Sequence, residues 1–185
     1  PHADIHDLPY THWQKVKKLD ITRHFECEWV EQRSNIAIIG PTGSGKTHLA
    51  CALAKQAIFN EMPVLFLRFV DLILQLCTAE KEGELLQLRR KLNRYPLLVI
   101  DDWAIKALTD TQRHLVFEFI EQRDQNASLL ITSQYPVDKW HAAFGDPTVA
   151  DSVLDRISNN SYFLNTYTKK SLREVYGITG GKHEK

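Results

Sequence analysis

The eight residues Gly40-Pro41-Thr42-Gly43-Ser44-Gly45-Lys46-Thr47 satisfy the pattern GxxxxGK[ST] in full. At average composition such a match arises by chance at roughly 10⁻⁵ per starting position. The motif also fixes its own surroundings, because it works only where a strand feeds a tight loop that opens a helix. An apolar run at 36–39 precedes it, and an amphipathic run at 47–60 follows, with Leu49, Ala50, Leu53, Ala54, Ala57 and Ile58 on one face. Gly43 and Gly45 let the backbone turn its amides toward anionic oxygens, and the helix N-terminus adds about half a positive charge. Lys46 is expected to reach the β and γ phosphates, and Thr47 to place its hydroxyl on Mg²⁺. The segment 40–48 is therefore a candidate nucleotide cradle, with His48, in the first helical turn, in a packing or supporting role. A Gly-rich strand-to-helix turn without a ligand is the bland alternative.

The rest of the chain repeats the strand-then-helix rhythm. Strands are expected at 64–68, 97–101, 128–132 and 161–164. Helical periods run over 71–76 and 84–92, broken at Gly83, and over 109–123, with Leu115, Val116, Phe119 and Ile120 inward. Asp146 and Pro147 read as an N-cap and first residue of a helix to about 157. Strands without polar alternation, separated by helices, imply a five-stranded parallel sheet covered on both faces. The expected fold is a three-layer α/β nucleotide-binding domain over 25–176. Residues 1–24 are expected as a flanking linker and 177–185 as a frayed tail.

Composition narrows the class. A chain of 185 residues, 43% hydrophobic and 25% charged, suits one globular domain. Basic and acidic residues number 23 each, which argues against a polybasic protein but leaves room for a local basic patch. Three cysteines, Cys27, Cys51 and Cys77, form no CxxC pair and fit a reducing compartment, the cytoplasm by default. The apolar runs are too short to span a bilayer, and the N-terminus shows no signal pattern.

Two strand ends carry further chemistry. Leu97-Leu98-Val99-Ile100-Asp101-Asp102 places two carboxylates at the edge where open α/β sheets bind ligands. Asp101 fits a Mg²⁺ partner and Asp102 the group that orients or deprotonates an attacking water. Leu129-Leu130-Ile131-Thr132-Ser133-Gln134 ends in polar groups, so Gln134 or Thr132 is a candidate near the γ phosphate, against an ordinary turn before Pro136.

Taken together, GPTGSGKTHLACALA at 40–54, LLVIDDW at 97–103, LLITSQYPVDKW at 129–140 and GDPTVADSVLDRISNNS at 145–161 resemble the IstB-type transposition helper ATPases. These belong to the AAA+ group that also contains the DnaC-type helicase loaders, and the likeness runs from about Phe25 to Arg173. It implies an AAA+ ATPase domain, without a full C-terminal helical lid, that binds ATP and Mg²⁺. It further implies a homo-oligomer on duplex DNA that assists a DDE-type transposase in the bacterial cytoplasm. The LDR arginine, an arginine finger acting on the neighbouring subunit, falls on Arg156. Val149, Val153 and Ile157 are expected to form the buried stripe beside it, and the alternative is a surface arginine paired with Asp155 or Asp151. Arg173 matches the sensor II arginine, which touches the γ phosphate of the same or an adjacent subunit, and Gln134 matches the sensor I position. Two departures stand out. Asp102 replaces the usual Glu, which implies slow hydrolysis, and Trp103 stands where Leu or Phe is common with no Gly after it.

Charge is segregated along the chain. Lys81, Arg89, Arg90, Lys91 and Arg94 against Glu82 and Glu84 give 81–94 a net charge of +3, 167–185 also carries +3, and 95–166 carries −5. Arg89, Arg90, Lys91 and Arg94 are the candidate contacts to DNA phosphates, against a solvated helix face. His2, His6, His12 and His24 show no metal-ligand spacing and are expected on the surface or in packing, and Trp13, Trp29 and Trp140 as core or interface anchors. Competing function classes are a DnaC-type loader, a small-molecule kinase and an ATP-gated binding module with negligible turnover. The kinase is disfavoured because no Arg-rich acceptor lid lies between helices.

Overall fold

Five short apolar segments pair as one parallel sheet in the computed structural model, which describes residues 3–175. They are β1 (Asn35–Ile39), β2 (Val64–Arg68), β3 (Leu97–Asp101), β4 (Ser128–Ser133) and β5 (Ser161–Asn165), in the spatial order β2-β3-β4-β1-β5. Strands β3 and β4 are buried throughout and β1 nearly so, whereas β2 and β5 form the half-exposed edges. A strand covered on both faces has no solvated side for polar residues, which is why these segments read as continuous apolar runs.

Alternate residues supply two separate cores. Ile36, Ile38, Leu97, Val99, Leu130 and Leu164 face a layer built on α3 (Lys46–Phe59). Ala37, Leu98, Ile100, Leu129 and Ile131 face α4 (Phe69–Glu82), α6 (Asp110–Arg123), α7 (Val137–Phe144) and α8 (Pro147–Ser158). The short α5 (Leu85–Asn93) follows α4 after Gly83, whose φ of 73° permits the sharp stop. Capping follows the sequence signals. The Thr109 hydroxyl accepts from Gln112 N at 3.4 Å, and the Asp146 carboxylate accepts from Val149 N at 2.9 Å ahead of Pro147.

Several expectations are corrected. Ile58 is 59% exposed, because the inward face of α3 is completed by Ala52 instead. The inward stripe of α8 is Ala150, Val153, Leu154 and Ile157, with Val149 only partly buried at its rim. The short helices α1 (Lys18–Thr22), α2 (Glu28–Glu31) and α9 (Leu172–Val175), and α7 as well, carry too few turns for periodicity to reveal. Residues Ala3, Leu8, Trp13, Val16 and Ile21, expected in a flanking linker, are buried in the same core as α3. The whole predicted tail at 177–185, and His2, lie outside the described residues.

Two buried basic side chains shape the fold. The Arg123 guanidinium, 1% exposed, donates to the carbonyls of Leu92, Tyr95 and Ser128 at 3.0 Å each, tying α5 and the loop before β3 to the start of β4. His24, 3% exposed, accepts from Arg23 Nε at 3.4 Å and lies 4.8 Å from the Tyr162 ring. Burial first, and then the charge of Arg23, push its pKa down to about 4, while Asp20 pulls the other way. The imidazole is therefore neutral in the fold and binds its proton more readily when unfolded. Its contribution to stability is present above the unfolded value near 6.5 and is lost as pH falls toward 4, up to about 3 kcal/mol. We expect His24→Phe to flatten the slope of thermal stability between pH 6.5 and 4; a slope equal to that of the parent chain would exclude His24 as its source.

Candidate nucleotide site

The loop at 40–47 leaves β1 and enters α3 as the sequence dictates. Gly43 and Gly45 take φ of 78° and 87°, conformations in which a side chain would be strained. A cavity of about 690 Å³ opens above this loop, lined by Thr42, Gly43, Gly45, Lys46, Thr47 and His48. Asp101, Asp102, Gln134 and Arg173 close it from the C-terminal ends of β3 and β4 and from α9, and Asp7, Pro9, Cys51 and Leu172 complete the wall. Gly40, Pro41 and Ser44 support the cradle from behind without facing the cavity. The Ser44 hydroxyl, fully buried, shares a hydrogen bond of 2.9 Å with Thr166 Oγ1.

Lys46 is 7% exposed, and its Nζ donates to Pro41 O at 3.0 Å. Burial lowers its pKa, and the nearby Arg173 adds to that, while Asp102 and Asp101 oppose it. A polyanion in the cavity would oppose that shift by offering the ammonium a counter-charge.

The acidic end is held by its neighbours. Thr47 Oγ1 donates to Asp101 Oδ1 at 3.0 Å, so a hydroxyl and a carboxylate from two different elements meet at one point. Both are hard oxygen donors at the mouth of a phosphate cradle, the donor set that suits Mg²⁺ with phosphate oxygens and water. Thr132, fully buried at the end of β4, donates its hydroxyl proton to Asp101 Oδ1 and accepts from Asp102 N at 3.1 Å. Asp102 sits at φ 58°, a left-handed conformation in which Asp is among the better tolerated residues. Ala104 also takes φ 58°, the backbone state that a Gly there would adopt freely. Trp103 is fully buried between them and packs against Phe69, Trp140 and Phe144, which fixes the loop after β3 from below.

The other candidates are distributed as follows. Gln134 Oε1 accepts from Thr42 Oγ1 at 3.0 Å, so this side chain spans from β4 to the phosphate loop. Arg173 lines the cavity. Arg156 does not. It lies on α8, where its guanidinium donates to Glu121 Oε1 at 2.9 Å and to Ser152 O at 3.0 Å and stands 5.3 Å from the Phe117 ring centroid. Its partner is thus Glu121 and neither Asp155, which accepts from Asn159, nor Asp151, which pairs with His141. In the basic segment, Arg90, Lys91 and Arg94 are exposed, whereas Arg89 is turned inward onto Glu118 of α6. The helical period of α5 places Arg89 on the side of Leu85, Leu88 and Leu92, which packs on the core. Sequence reasoning named Trp13 only as a core or interface anchor and Thr132 only as a γ-phosphate candidate, and it missed Thr166 and Leu172; Trp13, Thr166 and Leu172 touch the phosphate loop from far along the chain and have no local signature.

A parallel sheet in this order, with a phosphate loop after β1 and paired acids at the end of β3, defines a P-loop NTPase fold of the AAA+ kind. The chain matches the family described as IstB-like ATP binding protein over residues 1–175 and belongs to that family. It is 40% identical over 138 residues to an insertion sequence ATP-binding protein of Sinorhizobium fredii, covering 75% of this chain and 56% of that protein. An insertion sequence ATP-binding protein of Geobacillus stearothermophilus is 29% identical over 161 residues, 87% of this chain and 64% of that protein. The chain therefore spans little more than half the length of such relatives. Among solved structures, the DnaC helicase loader superposes with a TM-score of 0.75 at 24% identity, covering 88% of this chain and 96% of that chain. The replication initiator DnaA bound to AMPPCP and single-stranded DNA gives 0.75 at 17%, covering 94% and 52%. These two likenesses are of fold. Among the described residues no helix is long and apolar enough to cross a membrane.

Proposed function

We propose that the protein is an ATPase subunit that assembles with copies of itself on duplex DNA when ATP is bound, and there assists a DDE-type transposase in the bacterial cytoplasm. The observation that carries this reading is a division of labour. Thr47, Asp101, Asp102 and Gln134 surround one cavity, while Arg156, the matching finger residue, stands outside it on α8. Arg156 lies outside the cavity of its own chain, which supports a role at a neighbour's site.

Lys46 and the loop amides would hold the β and γ phosphates, Thr47 and Asp101 would hold Mg²⁺, and Asp102 would orient and deprotonate the attacking water. Bound Mg²⁺ would neutralise charge on the phosphate oxygens during transfer. Gln134, after β4, and Arg173, on α9, both line the cavity and would contact the γ phosphate there. The insertion-sequence relatives support a transposase as partner over the helicase of the loader reading.

The test is whether ATP, and not ADP, drives assembly on duplex DNA, seen by sedimentation or electron microscopy, followed by capture of the purified transposase or the purified helicase. A chain that stays monomeric with ATP and DNA would end the proposal, and capture of the helicase alone would replace the partner. Phosphate contacts give binding without base specificity, so replacing Arg90, Lys91 and Arg94 by Gln should reduce the slope of log K against log salt by about 0.9 for each DNA phosphate no longer neutralised. An unchanged slope would remove this face from the DNA path.

A further inference from the structure

The phosphate loop is gripped from behind by residues far from its motif. Trp13 is 5% exposed, and its indole Nε1–H donates to the backbone carbonyl of Ser44 at 2.8 Å. Leu172 N donates to the preceding carbonyl, that of Gly43, also at 2.8 Å. The two donors come from opposite ends of the described chain and are themselves joined, since Gln14 N donates to Tyr167 O at 3.0 Å. Packing agrees with the bonding. A Cβ added at Gly45 would lie 2.9 Å from Leu172 Cδ1, 3.6 Å from Trp13 Cζ2 and 3.9 Å from Pro9 Cγ. Tyr10 stands edge-on to Trp13 with ring centroids 6.0 Å apart, and its own hydroxyl donates to Ile5 O at 2.9 Å.

Peptide planarity turns this grip into a functional constraint. In a trans peptide the carbonyl of one residue and the N–H of the next point in opposite directions. Fixing the Ser44 carbonyl on Trp13, outside the cavity, therefore aims Gly45 N–H toward the cavity, where Gly45 is part of the lining. As a glycine, Gly45 has wide conformational freedom, and among the described residues its N–H has no protein acceptor. Without an external hold that peptide is free to rotate and to turn its carbonyl, instead of its N–H, toward an anion.

We propose that Trp13 is a positioning residue for nucleotide binding: its indole N–H locks the Ser44–Gly45 peptide so that the Gly45 amide faces the phosphates. This rests on the reading of the cavity as the nucleotide site. It makes the N-terminal segment a working part of the phosphate cradle, although it lies 27 residues before the motif begins.

The decisive variant replaces Trp13 by β-(3-benzothienyl)alanine, which keeps the ring shape and has sulfur in place of N–H. Trp13→Phe serves as a second variant. ADP binding to the full chain is measured by calorimetry, ligand-free stability by thermal melting, and the bound ADP by ³¹P NMR. We expect ADP affinity to fall about fivefold to tenfold in the benzothienyl variant, as for loss of one hydrogen bond, and the ligand-free melting temperature to fall by several degrees as the Ser44 carbonyl loses its donor, with the chain still folded at the temperature of the titration. The β-phosphorus resonance should shift from its parent position while the α-phosphorus stays. ADP affinity within twofold of the parent, or an unmoved β-phosphorus resonance, would overturn the proposal. Failure of the parent chain itself to bind ADP would overturn the nucleotide reading, and this one with it.

Discussion

Arg156→Ala lowers ATP turnover by the assembled protein by roughly 10³-fold or more, the low end of what an arginine finger contributes, while the lone chain binds nucleotide as before. Both halves follow from where the residue stands. Arg156 is absent from the cavity wall, so its loss removes nothing that a single chain offers to ATP. In the lone chain its guanidinium is engaged by Glu121, an ion pair with side chains 27% and 50% exposed. An exposed pair of this sort contributes no more than about 1 kcal/mol, so a folding defect is not an explanation for lost turnover. Steady-state hydrolysis at saturating protein and DNA, set beside ADP titration, measures the two effects separately. A mixing experiment makes the trans assignment explicit. Lys46→Ala removes the ammonium needed to hold nucleotide but leaves Arg156 intact, so equal parts of Lys46→Ala and Arg156→Ala should recover activity that neither has alone. Normal hydrolysis by Arg156→Ala at high protein concentration would end the finger assignment.

Asp102→Asn should slow hydrolysis by about 10²- to 10⁴-fold, the range for loss of a general base, and leave ATP bound and intact. The substitution is chosen for its backbone as much as its charge. At φ 58° most residues are strained, but Asn accepts the left-handed conformation about as well as Asp, and the bond from the residue 102 amide to Thr132 Oγ1 does not involve the side chain. Asp101, which faces Thr47 and Thr132, is untouched, so the oxygen donors for Mg²⁺ stay in place. Single-turnover assays with chromatographic separation of bound ATP from ADP read the outcome directly. Turnover equal to that of the parent would show that Asp102 is not the base, and loss of ATP binding would show that its charge is needed to hold Lys46 ready.

Much of this molecule is legible in the chain. The bounds of β2 and β3, the break at Gly83, the capped start of α8 and the phosphate loop all follow from signals a few residues long. Periodicity, caps and glycine placement act locally, and a strand buried on both faces declares itself by composition alone. Where periodicity points the wrong way, packing decides: Ile58 reaches solvent at the end of α3, and the inward face of α8 is rotated from Val149 toward Ala150.

The sequence by itself determined that there is a phosphate cradle, that acids stand at the end of a later strand, and that the sheet is parallel, because each of these is written in short local patterns. Only the tertiary structure decided which groups hold that machinery in a working geometry. Trp13 on Ser44 O, Leu172 on Gly43 O, Thr132 on Asp101, and Arg156 on Glu121 are single hydrogen bonds across 31, 129, 31 and 35 positions of the chain. No local pattern marks such partners. They meet because strand order and helix packing bring them within about 3 Å, and a hydrogen bond exists only at that range.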